Sequence, residues 1–323
     1  FLAPLYAVLN YRLLIQVALA IAFVCSLISL RIRHQKMMGG VGLLFCAGAM
    51  LIGGASVPLN FDIQGPVYLS LDWFILSFLA SLALLAPIEK VYPVQPDQKF
   101  FREDWWTDFT FFFSNTFFEQ LLIFLTTFPA AAFLHQFVNK DLQQWVASQN
   151  YILQFLVIFF AVDFLTYWGH RLFHFVPKLW HIHAVHHSTE KMDWLAGTRF
   201  HFLDFSFNRL MVYVPIYLLG FDLKVIAVYL AVIAFIVTFN HANFKIEGGP
   251  LKYLISMPHF HHWHHADHDE AIDKNFGVYS PIFDRLFGTY YAPKGQWPKA
   301  YGIKEKLPKH IWHLTFGQLF RRK

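Results

Sequence analysis

Histidines recur at short, fixed spacings in three places along this chain of 323 residues. One box has the spacing HxxxH and two boxes have the spacing HxxHH, formed by His170, His174, His183, His186, His187, His261, His264 and His265. Positions three or four residues apart lie on one face of a helix, so each box can direct its imidazoles toward a common point. Because neutral imidazole binds iron, zinc and copper, the spacing predicts metal sites held by helices.

The number of histidines indicates more than one metal ion. The eight box histidines exceed one octahedral shell, so two ions are the economical interpretation. His241 ends an apolar segment that should return to the same side of a membrane, and we therefore add it as a ninth ligand. Histidines beside the boxes but outside their spacing are not expected to be ligands: His181, His259, His262 and His268.

The composition is that of an integral membrane protein. Hydrophobic residues make up 56% of the chain and charged residues only 15%, whereas soluble domains contain about 25% charged residues. Apolar segments of spanning length, or close to it, occur at 13–30, 41–59, 68–86, 109–134, 151–168, 205–219 and 225–239. We expect an all-α protein with about six to seven transmembrane helices and a histidine-rich helical cap. The two cysteines, Cys25 and Cys46, lie inside apolar runs and indicate neither disulfides nor thiolate ligands.

Lysine and arginine are distributed unevenly between alternate loops. With the N-terminus outside, the inner loops hold Arg31, Arg33, Lys36, Lys90, Lys99, Arg102, Arg171, Lys178, Lys191 and Arg199. The outer loops hold Lys140 and Lys224, with Arg12 at the outer interface. The positive-inside rule therefore places every histidine box in a cap on the cytoplasmic side. The lack of a clear retention signal favours a bacterial inner membrane over the endoplasmic reticulum.

We expect a single integrated membrane domain over 1–323, because tandem repeats and low-complexity linkers are not found. Residues 1–150 should supply mainly N-terminal transmembrane helices, 151–290 the histidine-box catalytic core, and 291–323 a cytoplasmic tail. The helical hairpin 205–239 should join the two parts of the site.

The segments around the boxes resemble the fatty acid hydroxylase/sterol desaturase superfamily. DFLTYWGHRLFH at 163–174, LWHIHAVHHS at 179–188 and PHFHHWHH at 258–265 resemble its three boxes. Further matches are Asn240-His241-Ala242-Asn243, Thr198-Arg199-Phe200-His201, Asn275-Phe276-Gly277 and the segment 283–290. The resemblance covers about 150 to 290. One departure is His201-Phe202, which stands where the family usually has His-Pro and argues against the sterol-type form of that segment.

The resemblance implies an integral membrane non-haem diiron enzyme that uses O2 and two external electrons. Two Fe ions would lie among the nine histidines, with Zn able to replace them in a purified sample. We expect hydroxylation of an apolar lipid, such as a sterol, fatty acyl or alkyl lipid, at a C–H bond. The alternative interpretation, which the sequence leaves open, is a lipid desaturase or an ether-lipid cleaving monooxygenase with the same site. No nicotinamide or flavin fingerprint is found, so a ferredoxin- or cytochrome-type donor with its reductase should supply electrons.

No catalytic residue beyond the ligands is predicted, but several residues are candidates to hold them. Ligating imidazoles usually donate their second N–H to a carboxylate or carbonyl. Candidates for such contacts are Asp163, His201, Asp204, Asn243, Asp267, Asp269, Asn275 and Asp284.

Two other classes of function are disfavoured. A metal transporter should carry ionisable residues in register within several spans, whereas here Glu119 and Asp163 are the main examples. A haem electron carrier would place paired histidines on facing helices inside the bilayer, and these boxes follow the spans instead. The net charge of +5 is concentrated at span borders, which favours an anionic lipid surface over nucleic acid.

Overall fold

The computed structural model describes residues 11–32, 36–51, 71–305, 307–308 and 311–320. The α-helices in these residues are α1 (Tyr11–Ile32), α2 (Met37–Leu51), α3 (Leu71–Val91), α4 (Trp105–Leu134), α5 (Lys140–Ser148), α6 (Tyr151–Phe175), α7 (Pro177–His187), α8 (Phe202–Leu219), α9 (Leu223–His241), α10 (Pro258–His264), α11 (Ile282–Phe287) and α12 (Ile311–Thr315). No strand occurs in the described ranges, where an isolated bridge joins Ala266 to Tyr301. The expected all-α class is confirmed.

Within the described ranges, three helices, α6, α8 and α9, are long and apolar enough to cross a membrane. Only 22% of the apolar window of α8 and 28% of that of α9 is buried inside the protein, so most of their side chains suit a hydrocarbon environment. Shorter apolar stretches lie at Leu19–Arg31 and Gly39–Leu51. The total of about six to seven crossings stays a prediction. Parts of the expected spans 41–59 and 68–86 lie outside the described residues.

The ends of the spanning helices follow from local capping. The side chain of Asn150 accepts a hydrogen bond from the Leu153 amide at 2.8 Å and begins α6. This helix continues past the expected span 151–168 to Phe175, so the first histidine box is its last turn. Gly220 ends α8 in the left-handed conformation (φ 67°), and a Cβ there would lie 2.7 Å from the Gln143 side chain. Glycine therefore permits the tight turn into α9.

Two apolar clusters hold the bundle together. The larger one joins α6 and α9 through residues that include Ile158, Val162, Tyr229, Ile233 and Ile236. The second packs Leu85, Trp105 and Phe112 of the N-terminal helices against the segment after α7 and the end of α9, at Trp194, Leu195 and Ala242. Burial of such large side chains contributes roughly 1.5–3 kcal/mol each, which makes the N-terminal helices part of the same core.

A buried ion network strengthens the same junction. Arg102 donates to both carboxylate oxygens of Asp193 at 2.7 and 2.6 Å and to Asp108 at 2.5 Å. Arg199 contacts the other oxygen of Asp108. All four side chains are at most 5% exposed. Each buried charge therefore has an opposite charge beside it, as burial requires.

Replacing Asp108 by asparagine should lower the free energy of unfolding by about 3–5 kcal/mol, because two buried guanidinium groups lose their shared counter-charge. Thermal unfolding in detergent micelles measures the effect. The control is D269N, which removes the exposed ion pair between Asp269 and Lys304 and should leave the midpoint unchanged. Equal midpoints for D108N and the wild type would contradict the structural role of the network.

Candidate metal centre

Nine histidines from four helices converge at the end of the bundle and form two adjacent groups. The five-histidine group contains His170, His174, His183, His187 and His264. The four-histidine group contains His186, His241, His261 and His265. In each group, one ring nitrogen of every member lies within 4.8 Å of those of the others. These are the nine residues for which the sequence predicts ligation, and ligation itself stays a prediction.

Each HxxHH box is divided between the two groups. The spacing alone predicts instead that all the histidines of a box point to one common site. In α7, His183 and His187 belong to the five-histidine group and His186 to the four-histidine group. The third box is divided the other way, with His264 in the five-histidine group and His261 and His265 in the four-histidine group. Helix geometry explains the division, because residues i and i+4 are rotated roughly 40° apart, whereas i+3 points roughly 60° to the other side. Both groups therefore share the same two helices.

Hydrogen bonds at Nδ1 set the ring tautomers in the five-histidine group. The Nδ1 atoms of His170, His183 and His264 lie 2.8, 2.7 and 2.8 Å from the Phe276 carbonyl, the Asp204 carboxylate and the Lys274 carbonyl. A carbonyl or carboxylate oxygen only accepts, so each Nδ1 carries the hydrogen and each Nε2 has a free lone pair.

The free lone pairs of this group point toward one another. The Nε2 atoms of His170 and His183 are 2.9 Å apart. The Nε2 atoms of His174, His187 and His264 are buried and have no hydrogen-bond partner in the protein. Buried polar atoms are normally satisfied, so this arrangement suits a cation bound between the lone pairs.

The four-histidine group repeats this pattern. The Nδ1 atoms of His186 and His241 donate to the carbonyls of Arg199 and Val237, and their Nε2 atoms are 3.3 Å apart. The Nε2 atom of His261 lies 3.0 Å from that of His241 and 3.1 Å from that of His265. Nδ1 of His261 and of His265 is buried without a partner.

The donor set fits divalent transition-metal ions. Burial, reinforced by the neighbouring imidazoles, lowers the pKa of His186, His187, His261, His264 and His265 well below the usual value, so these rings are neutral at neutral pH. Neutral imidazole is the form that ligates metals, and a cation between the lone pairs replaces repulsion by attraction. Neither group includes a carboxylate, which favours iron, zinc or copper over magnesium or calcium.

The residues predicted to hold the ligands have different positions. Asp204 contacts His183 directly. Asp284 accepts from the Phe276 amide in the loop that follows the third box, and Asn275, which belongs to that loop, donates to the Phe260 carbonyl in α10. Asp163 accepts from the amides of Tyr279 and Ser280, Asn243 pairs with the backbone of Gln95, and His201 donates to the Thr315 carbonyl. These hydrogen bonds do not reach the nine histidines. Asp267 and Asp269 are exposed at the surface.

Sequence reasoning missed the backbone carbonyls that orient the rings, since a carbonyl has no side-chain signature. The histidines outside the box spacing also have partners elsewhere. His262 donates from Nε2 to the Ala242 carbonyl and accepts from the Tyr301 hydroxyl, and His259 donates to the Gln296 carbonyl. Neither belongs to the two groups.

Gly197 allows the close packing that positions His241. A Cβ at residue 197 would lie 2.8 Å from Nδ1 of His241 and 3.2 Å from the Val237 carbonyl. That Nδ1 is the atom which donates to Val237 O at 2.7 Å. A larger residue must therefore displace the imidazole or its carbonyl partner.

Comparisons with known proteins agree with this geometry. A family model described as fatty acid hydroxylase matches residues 155–289. The ornithine lipid hydroxylase OlsE of Rhizobium tropici is 29% identical over 290 residues, which cover 87% of this chain and 82% of that protein. An alkylglycerol monooxygenase of Danio rerio is 31% identical over 173 residues, 53% of this chain and 37% of that protein. The very-long-chain aldehyde decarbonylase GL1-4 of Oryza sativa subsp. indica is 29% identical over 168 residues, 48% of this chain and 26% of that protein.

The matched region thus spans well under half the length of the last two relatives. No solved structure matches the chain.

The substitution G197A should weaken metal binding to the four-histidine group by about tenfold or more, because it displaces the contact that orients His241. Titration of the purified protein with a divalent ion measures the affinity. The matched control is G48A in α2, where a Cβ meets no atom within 4 Å. Identical affinities for the two variants would show that Gly197 does not position the ring.

Proposed function

We propose that this chain, whose residues 155–289 match the fatty acid hydroxylase family model, is a membrane-bound, non-haem diiron oxidoreductase of that family. Its reaction is the hydroxylation of an apolar lipid at a C–H bond with O2. The observation that supports this most strongly is the convergence of nine buried imidazoles into two adjacent groups without a carboxylate. Each group holds one iron ion in this proposal.

The proposed reaction uses both oxygen atoms of O2. One atom enters the C–H bond as a hydroxyl group, and the other leaves as water after two electrons and two protons are supplied. The iron pair, when bound, supplies the activation of O2 and the electron transfer that this needs. The chain itself orients the ligands, excludes water and admits the lipid.

Named residues carry out these tasks. Asp204 holds the N–H of His183 and keeps its Nε2 directed into the five-histidine group. The ring of Phe200 stacks on His186, with centroids 4.2 Å apart and an interplanar angle of 12°. Phe276 packs edge-on against His174, at 5.1 Å between centroids. These aromatic rings keep water from the imidazoles and surround them with apolar surface.

The substrate reaches the site from the bilayer. Phe164, Trp168 and Leu172 lie on the last turns of α6 before or beside the first box and are 41%, 41% and 46% exposed. Together with the open faces of α8 and α9, they give a lipid direct access to the histidine end of the bundle. The similarity to an ornithine lipid hydroxylase over most of both chains supports hydroxylation.

A second candidate is cleavage of an ether lipid, favoured by the similarity to alkylglycerol monooxygenases. Hydroxylation of the carbon beside an ether oxygen gives a hemiacetal, which divides into an alcohol and an aldehyde. The same site and the same first step would therefore serve this reaction. Desaturation, in which two hydrogens are removed and no oxygen is retained, is the remaining alternative.

The electrons come in this proposal from a ferredoxin- or cytochrome-type donor and its reductase on the cytoplasmic side. The histidine end of the bundle carries the exposed Lys178 on α7 and the exposed Lys191 in the segment that follows α7, which suits an acidic donor. The opposite end, where Gln143 contacts the carbonyl of Tyr217, carries Lys140 and Lys224. The predicted inner loops together hold ten lysines and arginines, whereas the outer loops hold only Lys140 and Lys224, and this difference supports the cytoplasmic placement of the site.

The purified protein should contain about two divalent ions per chain, and iron should restore O2-dependent lipid oxidation after removal by a chelator. Replacement of His186 by alanine should remove metal and abolish oxidation. The matched control is H181Q, which changes a histidine on the same helix that belongs to neither group. Metal content and turnover are measured for both. A single ion in the wild type would overturn the dinuclear assignment, and equal losses in H181Q would overturn the assignment of His186 as a ligand.

Mass spectrometry of lipids from cells with and without the chain identifies the reaction. A gain of one oxygen atom supports hydroxylation, and paired alcohol and aldehyde fragments support ether cleavage. Loss of two hydrogens without oxygen would overturn hydroxylation in favour of desaturation. Unchanged lipids in the presence of a working electron donor would overturn all three.

A further inference from the structure

One short loop contacts three of the five histidines that form the larger group. The orienting loop, residues 273–277, lies between α10 and α11. Its contacts, from histidine Nδ1 to a loop oxygen, join His170 to Phe276 O (2.8 Å), His264 to Lys274 O (2.8 Å) and His174 to Asp273 Oδ1 (3.5 Å). These histidines come from α6 and α10, so the loop aligns ligands from two separate helices.

The backbone of the orienting loop has an unusual shape. Asp273 and Asn275 both adopt the left-handed region, with φ of 55° and 60°. This region is uncommon for non-glycine residues and persists where surrounding contacts hold it. The Asn275 side chain provides such contacts, since it donates to the carbonyls of Phe260 and Tyr291 and accepts from the Tyr291 amide. The loop is therefore attached to the body of α10.

Asp284 holds the far end of the orienting loop. Its carboxylate accepts from the amides of Phe276 at 2.8 Å and Gly277 at 2.7 Å and from the Thr289 hydroxyl at 2.7 Å. The side chain is fully buried. A Cβ on Gly277 would lie 2.6 Å from this carboxylate and 2.1 Å from the Ser280 carbonyl, so only glycine fits between them. Asp284 and His170 thus bind the N–H and the C=O of the same residue, Phe276.

We propose that Asp284 is a positioning residue of the metal centre, which acts through the orienting loop to fix the ring orientation of His170 and His264. Asp284 touches no histidine of either group itself. Asp284 influences the orientation of the two rings by fixing the positions of the Phe276 and Lys274 carbonyls, which accept from His170 and His264. This inference rests on the proposed function of the five-histidine group as a metal site.

Asp163 offers a matched control for Asp284. It is also fully buried and also accepts from two consecutive amides, those of Tyr279 and Ser280, a few residues farther along the chain. Those amides belong to residues outside the orienting loop. Loss of the Asp163 carboxylate therefore removes a similar pair of backbone contacts and leaves the hydrogen bonds of the orienting loop in place.

The experiment compares full-length D284N and D163N with the wild type in detergent micelles, each loaded with Fe2+ or Co2+. In D284N, an amide replaces an oxygen that accepts from Gly277, so the orienting loop moves. We expect a chelator to remove one of the two ions roughly 10–100-fold faster from D284N than from the wild type. The rate for D163N should equal that of the wild type, although the melting temperatures of both metal-free variants fall.

Two outcomes overturn the proposal: a wild-type release rate in D284N, or equal acceleration in D163N. If the wild type itself binds no ion, the proposed function is overturned and the role of Asp284 falls with it, which distinguishes the two failures.

A second pair of variants covers the case in which D284N does not fold. T289V removes one donor to Asp284 and should accelerate release of the same ion. Y167F removes the Tyr167 hydroxyl from Thr289 and from Arg171 but leaves every contact of Asp284 in place, so it should not. The visible absorption of bound Co2+ should change in T289V and stay constant in Y167F. Identical release rates and spectra for both variants would also overturn the proposal.

Discussion

Nitrogen lone pairs that face one another at about 3 Å inside a protein repel, and two such pairs, His170–His183 and His186–His241, lie among the nine imidazoles that this protein buries. The rings cannot turn away, because carbonyls and a carboxylate hold Nδ1 of five of them. The fold thus maintains an unfavourable local arrangement that a cation makes favourable. Apolar packing of the bundle and the buried ion network provide the stability that this arrangement requires.

The division of the histidine boxes couples the two groups mechanically. Helices α7 and α10 each contribute rings to both groups, so a shift of either helix would displace rings in both groups. Two ions held in this way would keep a constant separation, which suits chemistry that needs both of them at once. The apolar lengths of α6 and α9 place this centre at the end of the candidate spanning helices, where the proposed apolar substrate and electron donor would both reach it.

The N-terminal helices contribute to the centre although the family match begins at residue 155. Their Arg102 and Asp108 form the ion network with Asp193 and Arg199, and the carbonyl of Arg199 accepts from Nδ1 of His186. The same residue therefore joins the N-terminal helices through its side chain and orients a proposed ligand through its backbone. The N-terminal part of the chain therefore helps to hold His186 of the four-histidine group in place.

The sequence by itself determined the helical class, the apolar character and the nine histidines that the fold brings together. These are local properties, because the spacing of residues along a helix decides which side chains share a face. Only the tertiary structure decided how each HxxHH box is shared, since the direction of each helix toward its neighbours sets which ring enters which group. The tertiary structure also decided which backbone carbonyls of the orienting loop contact the histidines. The contact between His170 and the Phe276 carbonyl joins residues 106 positions apart through a backbone atom that every residue possesses, so no side-chain pattern could predict it.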